Sequence, residues 1–95
     1  MTQLIIQPST AENTKRLVLF ALENERRIIR FGISRTEGQL EKFEKKFKMD
    51  SESFYRKFNA GDMGDDFEYI KWAGEYETLR KLRQDYDDLA GIRLC

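Results

Sequence analysis

Histidine is absent from this 95-residue sequence, and cysteine and proline occur once each. Without histidine, the chain cannot form a Ser-His-Asp triad, a Cys-His nucleophile pair or a histidine-based metal site. It also contains no glycine-rich loop of the kind that cradles phosphates. The sequence therefore favours a non-enzymatic protein, and we predict no catalytic residues and no cofactor.

Long apolar runs are also missing. The longest run, Leu17 to Leu22, has six residues, whereas a membrane-spanning helix needs about 20. The single cysteine, Cys95, excludes a disulfide framework within one chain and fits a reducing compartment. We therefore expect a cytoplasmic protein with no membrane association.

One acidic group is dense enough to consider as a metal site: Asp62, Asp65, Asp66 and Glu68. Carboxylates can hold Mg²⁺ or Ca²⁺, but this group lacks the alternating acids of a calcium loop. Capping of a helix accounts for Asp65 and Asp66. We predict no metal site.

Charge is plentiful but balanced. Charged residues make up 36% of the chain and the net charge is zero, yet residues 1–49 carry ten basic side chains against six acidic ones. Such asymmetry suits nucleic acid, an acidic partner, or attraction between the two halves. The candidate nucleic-acid contacts are Arg26, Arg27, Arg30 and Arg35. On a helix these side chains spread over several sides, so a solvated surface is the favoured interpretation and nucleic-acid binding the alternative.

The chain begins with an arm, residues 1–9. Within it, residues 2–7 predict either a short strand paired with another chain or an unpaired segment. Ser9 and Glu12 have the spacing of a capping box, which indicates the start of a helix. We predict that this helix covers residues 10–47.

The predicted first helix carries a seam of apolar residues spaced three and four apart, which is typical of a helix packed along another helix, as in a coiled coil. Its members are Val18, Leu22, Ile29, Ile33, Leu40, Phe43 and Phe47, with Thr36 at the position between Ile33 and Leu40. The seam favours one continuous helix. A second capping box, Ser34 with Glu37, leaves open a break near Gly32.

Two further helices are predicted. Asp50 is the expected N-cap of a short helix over 51–60, and Gly61 fits the left-handed residue that ends it. Asp65 is the expected cap of a last helix over 65–90. This helix carries an aromatic-rich stripe that should face the first helix: Tyr69, Trp72, Tyr76, Leu79, Leu82, Tyr86 and Leu89. Together the elements predict one all-α domain, residues 1–95, in which two long helices joined by a short helix form an antiparallel hairpin.

The two long helices differ in length. At 1.5 Å per residue the first spans roughly 57 Å and the last roughly 38 Å, so the last helix should end near residue 22 of the first. The N-terminal part of the first helix also carries a second apolar stripe that one partner helix cannot cover. Exposed apolar surface of this kind is usually an interface. The predicted partner-binding residues are Leu17, Val18, Phe20, Leu22, Ile28 and Phe31. A symmetric homodimer, or a different protein with or without dimerisation, would cover them.

The segment from Phe58 to Ala73 reads F-x-x-G-x-x-G-D-D followed by W-A. This segment, with the aromatic residues before it, resembles a group of small prokaryotic helical proteins, some of them labelled as antitoxin-like. The similar part covers about residues 35–90. The resemblance implies the antitoxin component of a toxin–antitoxin pair, which binds and neutralises a toxin encoded nearby.

Overall fold

A computed structural model describes residues 11–92, which form three helices: α1 (Ala11–Phe47), α2 (Ser51–Asn59) and α3 (Phe67–Ala90). The predicted all-helical class is therefore confirmed, and no strand occurs between residues 11 and 92. The predicted strand at 2–7 and the predicted cap Ser9 lie outside the described residues. The molecule is elongated, with extents of 60 × 24 × 18 Å and a radius of gyration of 18.9 Å.

Helix α1 is continuous. It passes through Gly32 and Gly38 without interruption, so Ser34 does not begin a new helix. The seam is buried where it was predicted to be: Ile29, Thr36 and Leu40 are buried, and the other seam residues after Ile29 are half-buried. Packing of this face outweighs the roughly 1 kcal/mol that a glycine costs in a helix interior.

Helix α2 begins as the sequence predicts. The Asp50 carboxylate accepts a hydrogen bond from the backbone N–H of Ser53 at 3.3 Å. The Glu44 side chain of α1 accepts a second one from the N–H of Ser51 at 2.8 Å, so two of the free donors at the helix start are satisfied. After α2, Gly61 has a φ of +82°, which is the left-handed conformation expected of it.

Helix α3 begins two residues later than predicted. Its N-cap is Asp66, whose carboxylate accepts the backbone N–H of Glu68 at 2.9 Å, and its first residue is Phe67. The prediction that Asp65 caps this helix is therefore wrong. Both residues have the same side chain, and the one that directly precedes the first helical residue is placed to accept the N–H of the second helical residue.

The core is an aromatic cluster at the end of the molecule where all three helices meet. Phe54 of α2 and Trp72 of α3 are fully buried, and their rings stack with centroids 3.8 Å apart. Phe43 and Phe47 of α1 stack on Trp72, with centroid distances of 5.6 and 5.5 Å. These aromatic contacts attach α2 to the pair of long helices.

The contacts between α1 and α3 follow opposite orders along the two helices: early residues of α3 contact late residues of α1, and later residues of α3 contact earlier ones. Ion pairs join Glu68 to Lys46 and Arg83 to Glu37, and further along α3 the Tyr86 ring lies beneath the Arg26 guanidinium. The end of α3 lies beside α1 at Glu25 and Ile29, where Leu89 and Ile92 line a shallow hollow. This is about one helical turn short of residue 22, so α1 extends even further beyond α3 than the length estimate indicated.

Candidate protein-binding surface

One side of the N-terminal half of α1 is apolar and exposed. The exposed fractions are 52% for Leu17, 73% for Phe20, 56% for Ile28 and 74% for Phe31. We refer to these four residues, with Asn24 between them, as the open face. Large apolar side chains grouped in this way are typical of an interface.

The open face exists because α1 carries two apolar stripes and only one has a partner helix. Successive residues of an α-helix are about 100° apart, which places Phe20, Ile28 and Phe31 between about 100° and 180° away from Ile29 of the seam, on the other side of α1. Helix α3 packs on the seam and ends near Glu25. The open face is therefore left uncovered along its whole length in the part of the chain that the structure describes.

The six predicted partner-binding residues fall into two groups. Leu17, Phe20, Ile28 and Phe31 are exposed and belong to the open face. Val18 and Leu22 are half-buried and lie on the line of the seam, away from the open face. The structure therefore brings four of the six together on one surface.

Four other apolar side chains are exposed and were not predicted as contacts: Leu19, Phe67, Ile70 and Ile92. Leu19 lies on the side of α1 roughly opposite the open face. Phe67 and Ile70 lie near the start of α3, off its aromatic stripe. Because they lie off that stripe, their exposure could have been predicted from the sequence.

Polar side chains flank the middle of the open face. The Arg27 guanidinium donates a 2.7 Å hydrogen bond to the side-chain oxygen of Asn24. Glu23 lies on the same flank, and these three residues line a small hollow beside Phe20. Glu23 also accepts a 3.2 Å hydrogen bond from Arg26. The flank therefore carries charges of both signs next to the apolar stripe.

The four arginines considered for nucleic acid do not form one surface. Arg26 lies over the Tyr86 ring, 5.6 Å from its centroid. Its pKa is raised above the ordinary arginine value, first by the Tyr86 side chain and then by the Glu23 carboxylate. Arg35 lines a groove between α1 and α3, whereas Arg30 is exposed on another side of α1. A duplex would meet only part of this set at one time.

Residues 11–92 offer neither a metal cluster nor a membrane-spanning helix. No three acidic or cysteine side chains lie close enough together there to hold a metal ion. None of the three helices combines the length and the apolar character needed to cross a membrane.

The geometry thus defines an all-helical protein with one unpartnered apolar helix face. Comparison with known protein families, with curated proteins and with solved structures found no match to the chain.

Proposed function

We propose that the protein is a non-enzymatic binding module of the antitoxin kind, which neutralises a toxin encoded nearby by direct contact through the N-terminal half of α1. In this proposal α1 and α3 form an antiparallel hairpin that holds α1 as a rigid arm, and the protein acts in the cytoplasm. The observation that carries the proposal is the open face, where four large apolar side chains expose half or more of their surface.

The position of the aromatic core supports a separation between the end of the molecule that stabilises the fold and the end that binds. Phe54 and Trp72 are fully buried at the far end of the molecule, and the Trp72 indole is hydrogen-bonded to Ser51. Stability thus resides at one end of the rod and exposed apolar surface at the other. An arm whose contact residues contribute little to the core can be covered by a partner without loss of its own fold.

Co-expression with the product of the adjacent gene tests the proposal. We expect the two proteins to copurify and the present chain to restore growth when the neighbour is toxic. The variants F20D and F31D should abolish both effects, because they place charge on the apolar face. The matched control is F67D, since Phe67 is 80% exposed but lies on α3. Absence of both complex and growth rescue for the wild type would remove the proposal.

The two other functions indicated by the sequence are tested with the same preparation. A nucleic-acid-binding regulator would give a gel shift that weakens steeply with salt, because phosphate contacts release counterions. The scattered positions of Arg26, Arg30 and Arg35 do not favour it. A structural homodimer without a ligand would form a complex with itself and with nothing else.

A further inference from the structure

The open face is symmetric about one residue. Leu17 and Phe31 each lie seven positions from Asn24, and Phe20 and Ile28 each lie four positions from it. Read from either end, the spacing is 3-4-4-3. A face with this spacing looks the same to a helix that approaches it in the opposite direction.

We infer that the occupant of the open face is a second copy of this chain, paired antiparallel with a two-fold axis at Asn24. The inference rests on the proposed function only in taking the open face to be an interface. Because one face cannot hold two occupants at once, a toxin would reach the open face only when the two copies separate. In this arrangement Leu17 of each copy faces Phe31 of the other, and Phe20 faces Ile28. Every large apolar group of the face therefore meets another one, as a self-complementary two-fold interface requires.

Asn24 fixes the alignment of this pairing. It is the only polar residue of the open face, and it lies on the axis, opposite Asn24 of the second copy. Its oxygen already accepts a hydrogen bond from Arg27, and its amide nitrogen can donate to the oxygen of the other Asn24. A single asparagine in an apolar helix interface favours the alignment in which it lies opposite the same asparagine of the other helix. Any shift along the axis would bury its amide against apolar side chains without a hydrogen-bond partner.

The charges beside the face are complementary in the antiparallel pair. A two-fold axis perpendicular to the helices brings the same flank of both copies together. Glu23 of each copy then lies within two positions of Arg27 of the other, and the axis makes this pair twice.

The size of the surface fits a dimer. Two phenylalanines about three quarters exposed, with a leucine and an isoleucine about half exposed, present roughly 450–500 Å² of apolar surface per copy if a full aromatic side chain contributes about 200 Å². Two copies then bury about 1,000 Å², which is the size at which specific protein interfaces begin. Helix α3 packs on the seam, more than a third of a turn away from the middle of the open face at about 100° per residue, and leaves room for the second copy.

Single cysteines introduced in a C95S background test the direction of pairing. Helices packed 8–10 Å apart bring inward-facing Cα atoms to about 4–5 Å, which a disulfide can bridge. N24C should therefore form an intermolecular disulfide under mild oxidation. L17C and F31C should not, because in the antiparallel pair each lies about 21 Å along the axis from its own copy. Crosslinking of all three variants would show a parallel dimer and overturn the inference.

Sedimentation equilibrium, which reports mass, supplies the second readout. We expect a dimer at about 10 μM for the wild type and for F67D, and a monomer for F20D with an unchanged helical circular dichroism spectrum. A monomeric wild type, or a dimer that N24C does not crosslink, would overturn the inference. A monomeric wild type that still binds the neighbouring gene product would leave the proposed function standing. A wild-type chain that forms the dimer without a crosslink but captures no such product would remove the proposed function and leave this inference intact.

Discussion

The indole N–H of Trp72 donates a 2.9 Å hydrogen bond to the hydroxyl of Ser51, and both side chains are buried. The bond joins α3 to the first residue of α2. Removal of the acceptor in S51A leaves the indole donor unpaired, so we expect the free energy of unfolding to fall by about 1–3 kcal/mol. Urea unfolding followed by the emission of Trp72, the only tryptophan, measures it. S34A, at an exposed site of α1, should change stability by less than about 0.5 kcal/mol; equal effects would contradict the assigned role.

Two glycines inside α1 should respond differently to alanine. A Cβ at Gly38 meets nothing within 4 Å, whereas a Cβ at Gly32 meets Cδ1 of Leu82 at 3.3 Å. We expect G38A to raise the free energy of unfolding by about 0.5–1 kcal/mol, because alanine is the better helix former. G32A should gain clearly less, since Leu82 has to move. Equal gains in urea unfolding would show that Leu82 adjusts without cost.

Acid should weaken the start of α2. The pKa of Asp50 is lowered, first by the hydrogen bond from the Ser53 side chain. A carboxylate with a lowered pKa in the folded state stabilises the fold above its unfolded pKa of about 3.9, and this contribution is lost as pH falls through the folded value. Asparagine caps a helix about as well but does not titrate. We therefore expect the wild type to lose stability relative to D50N as the pH falls from about 5 to 2. Thermal unfolding of both proteins measures this. A constant difference over that range would contradict the prediction.

The ion pair between Glu37 and Arg83 links α1 to α3 at 2.8 Å, with both side chains about half exposed. Pairs exposed to this degree contribute about 0.2–1 kcal/mol. A double-mutant cycle with E37Q and R83Q should give a coupling energy in that range. Addition of 0.5 M NaCl should reduce it, because salt screens exposed charges. A coupling that is larger and insensitive to salt would mean that the pair is buried in solution.

Local signals in the sequence were sufficient to predict the helices. The seam from Ile29 to Phe47 predicted a continuous α1, because burial of a regular face outweighs the helix-weakening effect of Gly32. Asp50 and Gly61 predicted the ends of α2, because capping depends on residues close in sequence. The cap of α3 was misplaced because Asp65 and Asp66 offer the same chemistry one position apart, and only the helix start distinguishes them.

Contacts between distant residues were harder to predict. Periodicity placed Trp72 in the core, but it did not show that Ser51 would accept its N–H or that Glu44 would accept the N–H of Ser51. Both depend on how α2 folds back onto the long helices. For the candidate surface, the length difference indicated an uncovered region. It did not separate Val18 and Leu22 from the exposed residues, because that requires the direction from which α3 approaches α1.

The 60 × 24 × 18 Å rod has a hydrodynamic consequence. Its radius of gyration of 18.9 Å exceeds the roughly 13 Å of a compact 100-residue domain. Frictional drag grows with such elongation, so a single chain passes through a gel-filtration column ahead of a sphere of equal mass. An early elution volume is therefore expected from one chain as well as from two, and stoichiometry should be read from light scattering or sedimentation equilibrium.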